Sequence, residues 1–505
     1  MSKTFRPWKI DEPLLLPVTV GEFVGKDHLA RFVLGLIRDE VDLGEILACY
    51  GSEHGQPPYD PVMMTALLLY AYCSGIYSSR RIVKACHERL DFMCIVGLDV
   101  PDFRTISDFR KRHLKALGKL FGQVLLVCEK AGLVKLGHVA FDGTKIKANA
   151  SKHKAMSYER MEKRAAELEA EVAKWLASAE AADTAEDKQY GRDKRGDAMP
   201  DWVADKQRRA AKIRQAKAEL EAEAQALAQA RRAAAAAAEQ QREAEGRRKG
   251  GRKAAAPSPE PDAKAQRNFT DPESRIMKSK DGFVQAYNAQ AAVDATCQVI
   301  VAHDVTQSGS DSASLLPMVD AVEANLGRKP AEASADAGYC SELNLAGLEE
   351  RKIDAYVATG RARDAARGGD ADAASGEPPA SAPQAEPAPA SPATASPQDC
   401  AASAPEPSAI PPAAAAPTQD KPTRVAAMRA KLKAGGRTGP YRLRKQLPEP
   451  VFGQIKQARG FRQFLMRGVE TVRNEWALVC TAHNLLKLFQ GRTLSAVARM
   501  AAQAA

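Results

Sequence analysis

Three carboxylates, Asp142, Asp336 and Glu449, stand out by what surrounds them. Asp142 follows the apolar run Val139-Ala140-Phe141 and precedes Gly143-Thr144-Lys145-Ile146-Lys147. Asp336 follows the short strand-like stretch from Ala331 and precedes Ala337-Gly338-Tyr339. Each reads as the end of a strand, and in open α/β sheets ligands gather at the carboxyl ends of strands. If the two strands are parallel neighbours, the carboxylates come close and repel unless a divalent cation lies between them. Taken singly, Asp-Gly and Asp-Ala-Gly are also ordinary turn sequences.

Glu449 is singled out by charge. Between Lys421 and Arg462 there are twelve Lys and Arg, and Glu449 is the one acidic residue. So pure a basic strip suits phosphate neutralisation, and a carboxylate inside it suits a metal ligand facing the same phosphates. Pro448 and Pro450 both fit a first helical turn. Glu449 is therefore expected to open a helix, with Lys456 two turns on along the same face. A capping Glu on a solvated basic helix has the same pattern. A second basic group, Arg104, Arg110, Lys111, Arg112, Lys115 and Lys119, holds one acid, Asp108. With the helix around Ile82 it reads as a helix-turn-helix-like reader of phosphates and guanine edges, or as the solvated face of a bundle helix. Glu470 and Glu475 are lesser candidates for a third acid. His138 reads as a strand residue, His483 and Asn484 as packing or capping partners, and Asp304 and Asp311 as loop residues.

The elements that must hold these residues follow from periodicity and punctuation. Residues 1–130 read as helical. Asp60-Pro61 starts a helix carrying Met63, Met64, Leu67, Leu68 and Ala71, which Gly75 ends; Ser78-Ser79 caps a second; a third runs from Thr105 or Ser107 to about Leu126. Strands are expected at 134–142, 283–293, 297–305, 331–336 and 353–358, with helices at 312–326 and around Leu345. Two segments interrupt this α/β order. Residues 155–265 are rich in Ala, Glu, Arg and Lys. Met161, Leu168 and Trp175, and then Ile213, Leu220 and Leu227, recur every seven residues, as in a helical hairpin arm with a weak seam and a disordered tip. Residues 363–422 are Ala/Pro/Ser-rich with almost no large apolar residue, as in a disordered linker. Residues 423–495 return to helix.

Composition narrows the class. The 505 residues carry a net charge of +10, yet 421–462 alone holds +11 and 104–119 holds +5, leaving the remainder at −6. The chain is thus a slightly acidic protein with two basic surfaces. No apolar run approaches the ~20 residues of a membrane span, and the opening residues lack the apolar core of a secretory leader. The nine cysteines have irregular spacing and no CxxC pair, which argues against disulfides and structural zinc and for reduced thiols in the cytoplasm.

The ordered stretches Ala140-Phe141-Asp142-Gly143-Thr144-Lys145, Asn268-Phe269-Thr270-Asp271-Pro272-Glu273-Ser274-Arg275, Ala335-Asp336-Ala337-Gly338-Tyr339 and Glu449-Pro450-Val451-Phe452-Gly453-Gln454-Ile455-Lys456 resemble the DDE transposases of bacterial insertion sequences. Residues 45–122 resemble the helical DNA-binding region common in that group. One branch carries Tyr, two residues, Arg, three residues, Glu, six residues, Lys. Glu449 and Lys456 keep that spacing, as do Tyr441 and Arg444. The gap from Arg444 to Glu449 is four residues, so either Lys445 takes the arginine's role or the register shifts. The resemblance implies an RNase H-like mixed sheet flanked by helices, an all-α N-terminal DNA-binding domain (1–130), an inserted hairpin arm (155–265), and a catalytic core shared among 131–154, 266–362 and 423–495. It also implies two Mg²⁺ or Mn²⁺ ions on Asp142, Asp336 and Glu449. DNA would be held by Lys145, Lys147, Tyr441, Arg444, Lys445, Lys456 and the cluster from Arg104 to Lys115. The reaction would be cleavage at terminal inverted repeats and strand transfer into target DNA, by a dimer or larger assembly in the bacterial nucleoid. A metal-dependent nuclease on the same fold and an inactive DNA-binding relic share much of this pattern.

Overall fold

Asp60 begins the central helix of the N-terminal part as its sequence predicts. Its carboxylate accepts from Val62 N (2.7 Å) and Met63 N (3.2 Å), satisfying two N–H groups that a helix start leaves open. In the computed structural model the described residues are 7, 19–51, 56–190, 201–244, 258–279, 282–360, 423–436 and 439–504. The Ala/Pro-rich stretch 363–422 lies outside them, as do residues 191–200 of the expected arm middle at 183–201. The N-terminal helices are α1 (Leu29–Asp39), α2 (Gly44–Leu47), α3 (Pro61–Cys73), α4 (Ser79–Glu88), α5 (Leu90–Val96), α6 (Phe103–Arg112) and α7 (Leu114–Lys130). α3 is buried on nearly every side. The single helix expected over 105–126 is two, because His113 leaves helical geometry and turns inward to the Tyr50 hydroxyl at 3.0 Å.

The sheet is built from β1 (His138–Lys147), β4 (Arg275–Ser279), β5 (Gly282–Asp294), β6 (Ile300–Thr306), β7 (Glu332–Ala335) and β8 (Asp354–Val357). A separate two-stranded ladder joins β2 (Ala155–Ser157) to β3 (Gln266–Asn268). In the main sheet β4 and β6 share one edge of β5, followed by β1, β7 and β8. β5 is antiparallel to β1, β4 and β6, whereas β7 is parallel to β1 and β8. α10 (Leu315–Leu326) and α11 (Glu342–Glu350) make the crossovers to β7 and β8, as parallel pairing requires. β4 escapes the sequence reading because it is a short polar edge strand with one buried residue, Met277.

β1 corrects one expectation. It does not end at Asp142 but runs on through Gly143 to Lys147, since β5 pairs with it over its whole length from Val139. Its parallel ladder with β7 does stop, at Phe141 opposite Ala335.

Between β2 and β3 stand α8 (Tyr158–Tyr190) and α9 (Asp201–Ala244). Met161, Ala165 and Leu168 of α8 meet Ala210, Ile213, Ala216 and Leu220 of α9 in a cluster of their own. Leu227, the third member of its heptad series, is exposed, so the described seam ends before it. The β2–β3 ladder brings the two ends of the insertion together, so the arm leaves and rejoins the chain at one place.

The C-terminal part is not one helix. It comprises α12 (Arg424–Gly435), α13 (Leu443–Gln446), α14 (Pro448–Gly453), a π-helical turn at Gln454–Ala458, and α15 (Val469–Ala504). The first N–H groups of α15 are met by the Asn268–Arg275 motif: Gly468 N donates to Asp271 (3.2 Å) and Val469 N to Glu273 (2.7 Å). One hydrophobic core joins the N-terminal helices, the sheet and α15. Among the described residues no helix is long and apolar enough to cross a membrane, and the described cysteines are all free.

Candidate active site

Asp142 and Asp336 are brought together by the parallel ladder. The last pair is Phe141 with Ala335, so the next residue on each side is an aspartate just past the end of this ladder, Asp142 still pairing with Ala291 of β5. Asp142 Oδ1 accepts from Gly143 N (2.9 Å) and Asp336 Oδ1 from Gly338 N (2.8 Å). The free oxygens face one cation: the Arg444 guanidinium lies 3.6 Å from Asp142 Oδ2 and 3.5 Å from Asp336 Oδ2. Burial pushes the Asp142 carboxyl up to about 6; Arg444 and the Gly143 N–H act against this, and the charges of Asp336 and Asp311 add to it. Two half-buried carboxylates that face the same cation demand positive charge. Arg444 provides it loosely, since both contacts exceed hydrogen-bond length and its Nε is buried with no partner.

A further acid reaches this pocket that its sequence position did not disclose. Asp311 lies in the turn between β6 and α10, and its carboxylate accepts from Asn288 (2.6 Å) and Gln290 (2.8 Å) and pairs with Lys145 (3.4 Å). A Cβ placed on Gly143 would stand 2.7 Å from Asp311 Oδ1 and 2.3 Å from Gln290 Nε2. Gly143 is therefore required by this close approach, not by a turn. Gln290 is fixed from both sides, with Tyr339 donating to its side chain and Trp476 Nε1 to its carbonyl (3.0 Å). Nothing in a serine-rich turn marks Asp311; only the pairing of β5 with β1 carries it there. Asp304, expected in a loop, lies on β6 and pairs with Arg473 at 2.6 Å.

The other expected residues divide. Arg444, not Lys445, takes the position facing the acids; Lys445 is exposed. Lys456 donates to Thr144 Oγ1 and to the Lys145 carbonyl (2.8 Å), tying the π turn to β1 beside Asp142. Tyr441 is half-buried, and burial raises its hydroxyl. Glu449 opens α14 as expected but is exposed, and no three metal-ligating side chains gather among the described residues. It does not complete a three-carboxylate cluster with the aspartate pair in this conformation. The π turn also winds more slowly than an α-helix, so Glu449 and Lys456 do not keep a simple two-turn relation.

Arg104, Lys111, Arg112 and Lys115 are exposed on α6 and α7. Arg110 is not a surface cation: it is buried and donates to the Tyr77 carbonyl (2.7 Å) and to Ser79 (3.4 Å), locking α6 onto α4. Glu475 is fully buried and accepts from Leu465 N (3.0 Å) and Met466 N (3.0 Å), a structural task. His483 is a packing residue: burial pushes its imidazole down to about 3, and it contacts the Gln298 carbonyl at 2.9 Å and Arg459 at 3.2 Å. Asn484 pairs both ways with the Ile300 backbone, extending the edge of β6.

Residues 18–112 match the family described as Transposase domain (DUF772), and residues 415–489 match Transposase DDE domain. No curated protein and no solved structure matches the chain. The first match covers the helices up to α6, and the second covers the elements that carry Arg444 to the aspartate pair, Lys456 to β1, and Glu449. Both of these parts are thus similar to transposase families, the N-terminal helices to one and the C-terminal elements beside the aspartate pair to the DDE domain of the other.

Proposed function

We propose that the chain cuts DNA at insertion-sequence ends and joins them to target DNA by metal-dependent phosphoryl transfer, with Asp142, Asp336 and Glu449 as metal ligands. The observation that carries this reading is the half-buried aspartate pair at the end of the β1–β7 ladder, sharing one guanidinium at 3.6 and 3.5 Å. Hard carboxylate oxygens that need a cation fit Mg²⁺ or Mn²⁺. Bound there, two such ions would supply Lewis acidity and activate water or a DNA 3′-hydroxyl. The strand order β6-β5-β1-β7-β8 agrees with an RNase H-like core. Glu449 belongs to the element beside this pair, because α13 and α14 both pack on β1.

The chain's own residues supply position and charge. Asp336 and Asp142 orient the reacting phosphate's counter-charge. Lys456 holds the π turn on β1, while Lys145 is steadied by Asp311. Lys147 and Lys445 stand exposed for phosphate contact, with Tyr441 beside the site. Arg104, Lys111, Arg112 and Lys115 offer a second phosphate-binding face, from which Arg110 is excluded by burial. Catalysis of this kind rests on positioning and charge neutralisation. We take the working form to be a homodimer or larger on paired ends in the nucleoid.

The test is Asp142→Ala in the full chain with Mg²⁺ and DNA bearing the element's ends. Cleavage and strand transfer are expected to vanish while end binding in a gel-shift assay persists. Full cleavage by Asp142→Ala would falsify the assignment. A wild-type chain that cuts without joining would be a nuclease.

A further inference from the structure

The root of the helical arm carries a cleft that the reading above leaves without a task. It encloses about 300 Å³ and is lined by His153, Lys154, Arg160, Arg209 and Lys212 over an apolar floor that includes Ile213 and Phe269. No acidic residue lines it. The four Lys and Arg are exposed. Among the described residues none of the five forms an ion pair with a carboxylate.

That pattern differs from the rest of the arm. Lys163 pairs with Glu159, Lys217 with Glu162, Arg214 with Glu169 and Lys206 with Glu171, at 2.5–3.4 Å. The arm is rich in glutamate, and its helices use it to neutralise their own cations. Around the cleft the neutralisation stops, although Arg267 on the neighbouring β3 still pairs with Glu219 (2.8 Å) and Glu223 (2.7 Å). Unpaired like charges held together repel one another, and the arrangement is relieved when an anion enters.

The cleft is also continuous with β1. Lys147 ends that strand, and five residues of strand place it about 16 Å from Asp142. The chain then passes through the short 3₁₀ turn Lys152–Lys154 into β2 and α8. Lys145, Lys147, Lys152, Lys154 and the α8–α9 cations thus form a basic track leading from the aspartate pair to the arm root. Regularly spaced anions of one sign along such a length are what a phosphodiester backbone presents.

We propose that the arm root is a DNA-backbone clamp, in which Lys154, Arg160, Arg209 and Lys212 hold phosphates of the same duplex whose scissile bond lies at Asp142 and Asp336. This rests on the chain acting on DNA, as proposed above, and adds a surface outside the sheet. The clamp reads phosphate, not base sequence, because its cationic side chains stand over a cleft with few other polar groups.

Each phosphate contact contributes a slope of about −0.9 to log K against log salt concentration. The triple variant Lys154→Ala/Arg209→Ala/Lys212→Ala of the full chain should flatten that slope by about 2.7, which reduces the loss of affinity between 50 and 200 mM salt by about 40-fold. Binding is read by fluorescence anisotropy with a random-sequence duplex of about 40 base pairs, long enough to reach from site to arm. The paired cations serve as the comparison, since Lys163→Ala/Arg214→Ala/Lys217→Ala removes the same charge from the same arm and should leave the slope unchanged. An unchanged slope in the first variant, or equal flattening in both, overturns the clamp and leaves an acidic protein segment as the occupant. A wild-type chain with no affinity for the duplex overturns the transposase reading itself, a result distinct from the other two.

Discussion

Asp142→Asn should make the metal-free protein more stable, by an amount that grows with pH. The Asp142 carboxyl is pushed up to about 6 from its ordinary 3.8, chiefly by burial. The folded state therefore holds a proton on this group through a range where the unfolded chain has released it. Stability from this group is fully present below pH 3.8 and is lost as pH rises through 6. The difference corresponds to about 0.5 kcal/mol at pH 4 and about 3 kcal/mol at pH 8. The 6 already contains the attraction of Arg444 and the Gly143 hydrogen bond, so no separate allowance is needed for them. Asn keeps the shape and the acceptor for Gly143 N but carries no charge, so it recovers that amount. For a unit of roughly 440 residues, with an unfolding entropy near 2.1 cal/mol/K per residue, 3 kcal/mol raises Tm by about 3 °C. The assay is thermal unfolding of wild type and Asp142→Asn in EDTA at pH 4 and pH 8. Added Mg²⁺ should then raise Tm for the wild type but much less for the variant. Equal Tm differences at the two pH values, or a variant less stable at pH 8, would refute the electrostatic account of the site.

Two further substitutions probe how the site is supported. Gly75→Ala should cost about 2–3 kcal/mol in urea unfolding, because Gly75 has φ 73° and a Cβ would stand 2.8 Å from the Arg459 carbonyl oxygen; a cost under about 0.5 kcal/mol would show that this contact yields. Glu475→Ala should cost about 3 kcal/mol, since it strands the buried N–H groups of Leu465 and Met466, and Glu475→Gln should cost about half of that by keeping an acceptor. Burial pushes the Glu475 carboxyl up to about 7, so the Gln variant should fare better relative to wild type at pH 8 than at pH 5, and the opposite order would refute that account.

Much of the scaffold was legible because it depends on local rules. The Asp60-Pro61 cap, the strands flanking Asp294 and the seven-residue spacing of Met161 and Leu168 each carry their signal within a few neighbours. Misreadings arose where a distant partner overrode the local signal. Asp142-Gly143 has the form of a turn, yet β5 pairs straight past it and the glycine serves a close approach from Gln290 and Asp311. Arg110 looks like any surface cation of a basic helix, and only the folded bundle puts it against Tyr77 and Ser79. The departure in spacing before Glu449 left Arg444 and Lys445 equivalent by count. The short α13 and the turn into α14 decide between them by aiming Arg444 inward.

By itself, then, the sequence determined which residue types were present and in what order: two aspartates at the ends of strand-like runs, a glutamate in a basic strip, and an arm with its own seam. The tertiary structure decided which of them meet. It joined Asp142 to Asp336 through the last pair of a parallel ladder, brought Arg444 between them, and drew Asp311 in from a serine-rich turn. It also left the cations that line the cleft at the arm root without the glutamates that neutralise their neighbours. The reason is physical. Hydrophobic periodicity and capping act over a few residues, whereas the charge a carboxylate feels is summed over whatever the fold places within a few ångströms, wherever it lies in the chain.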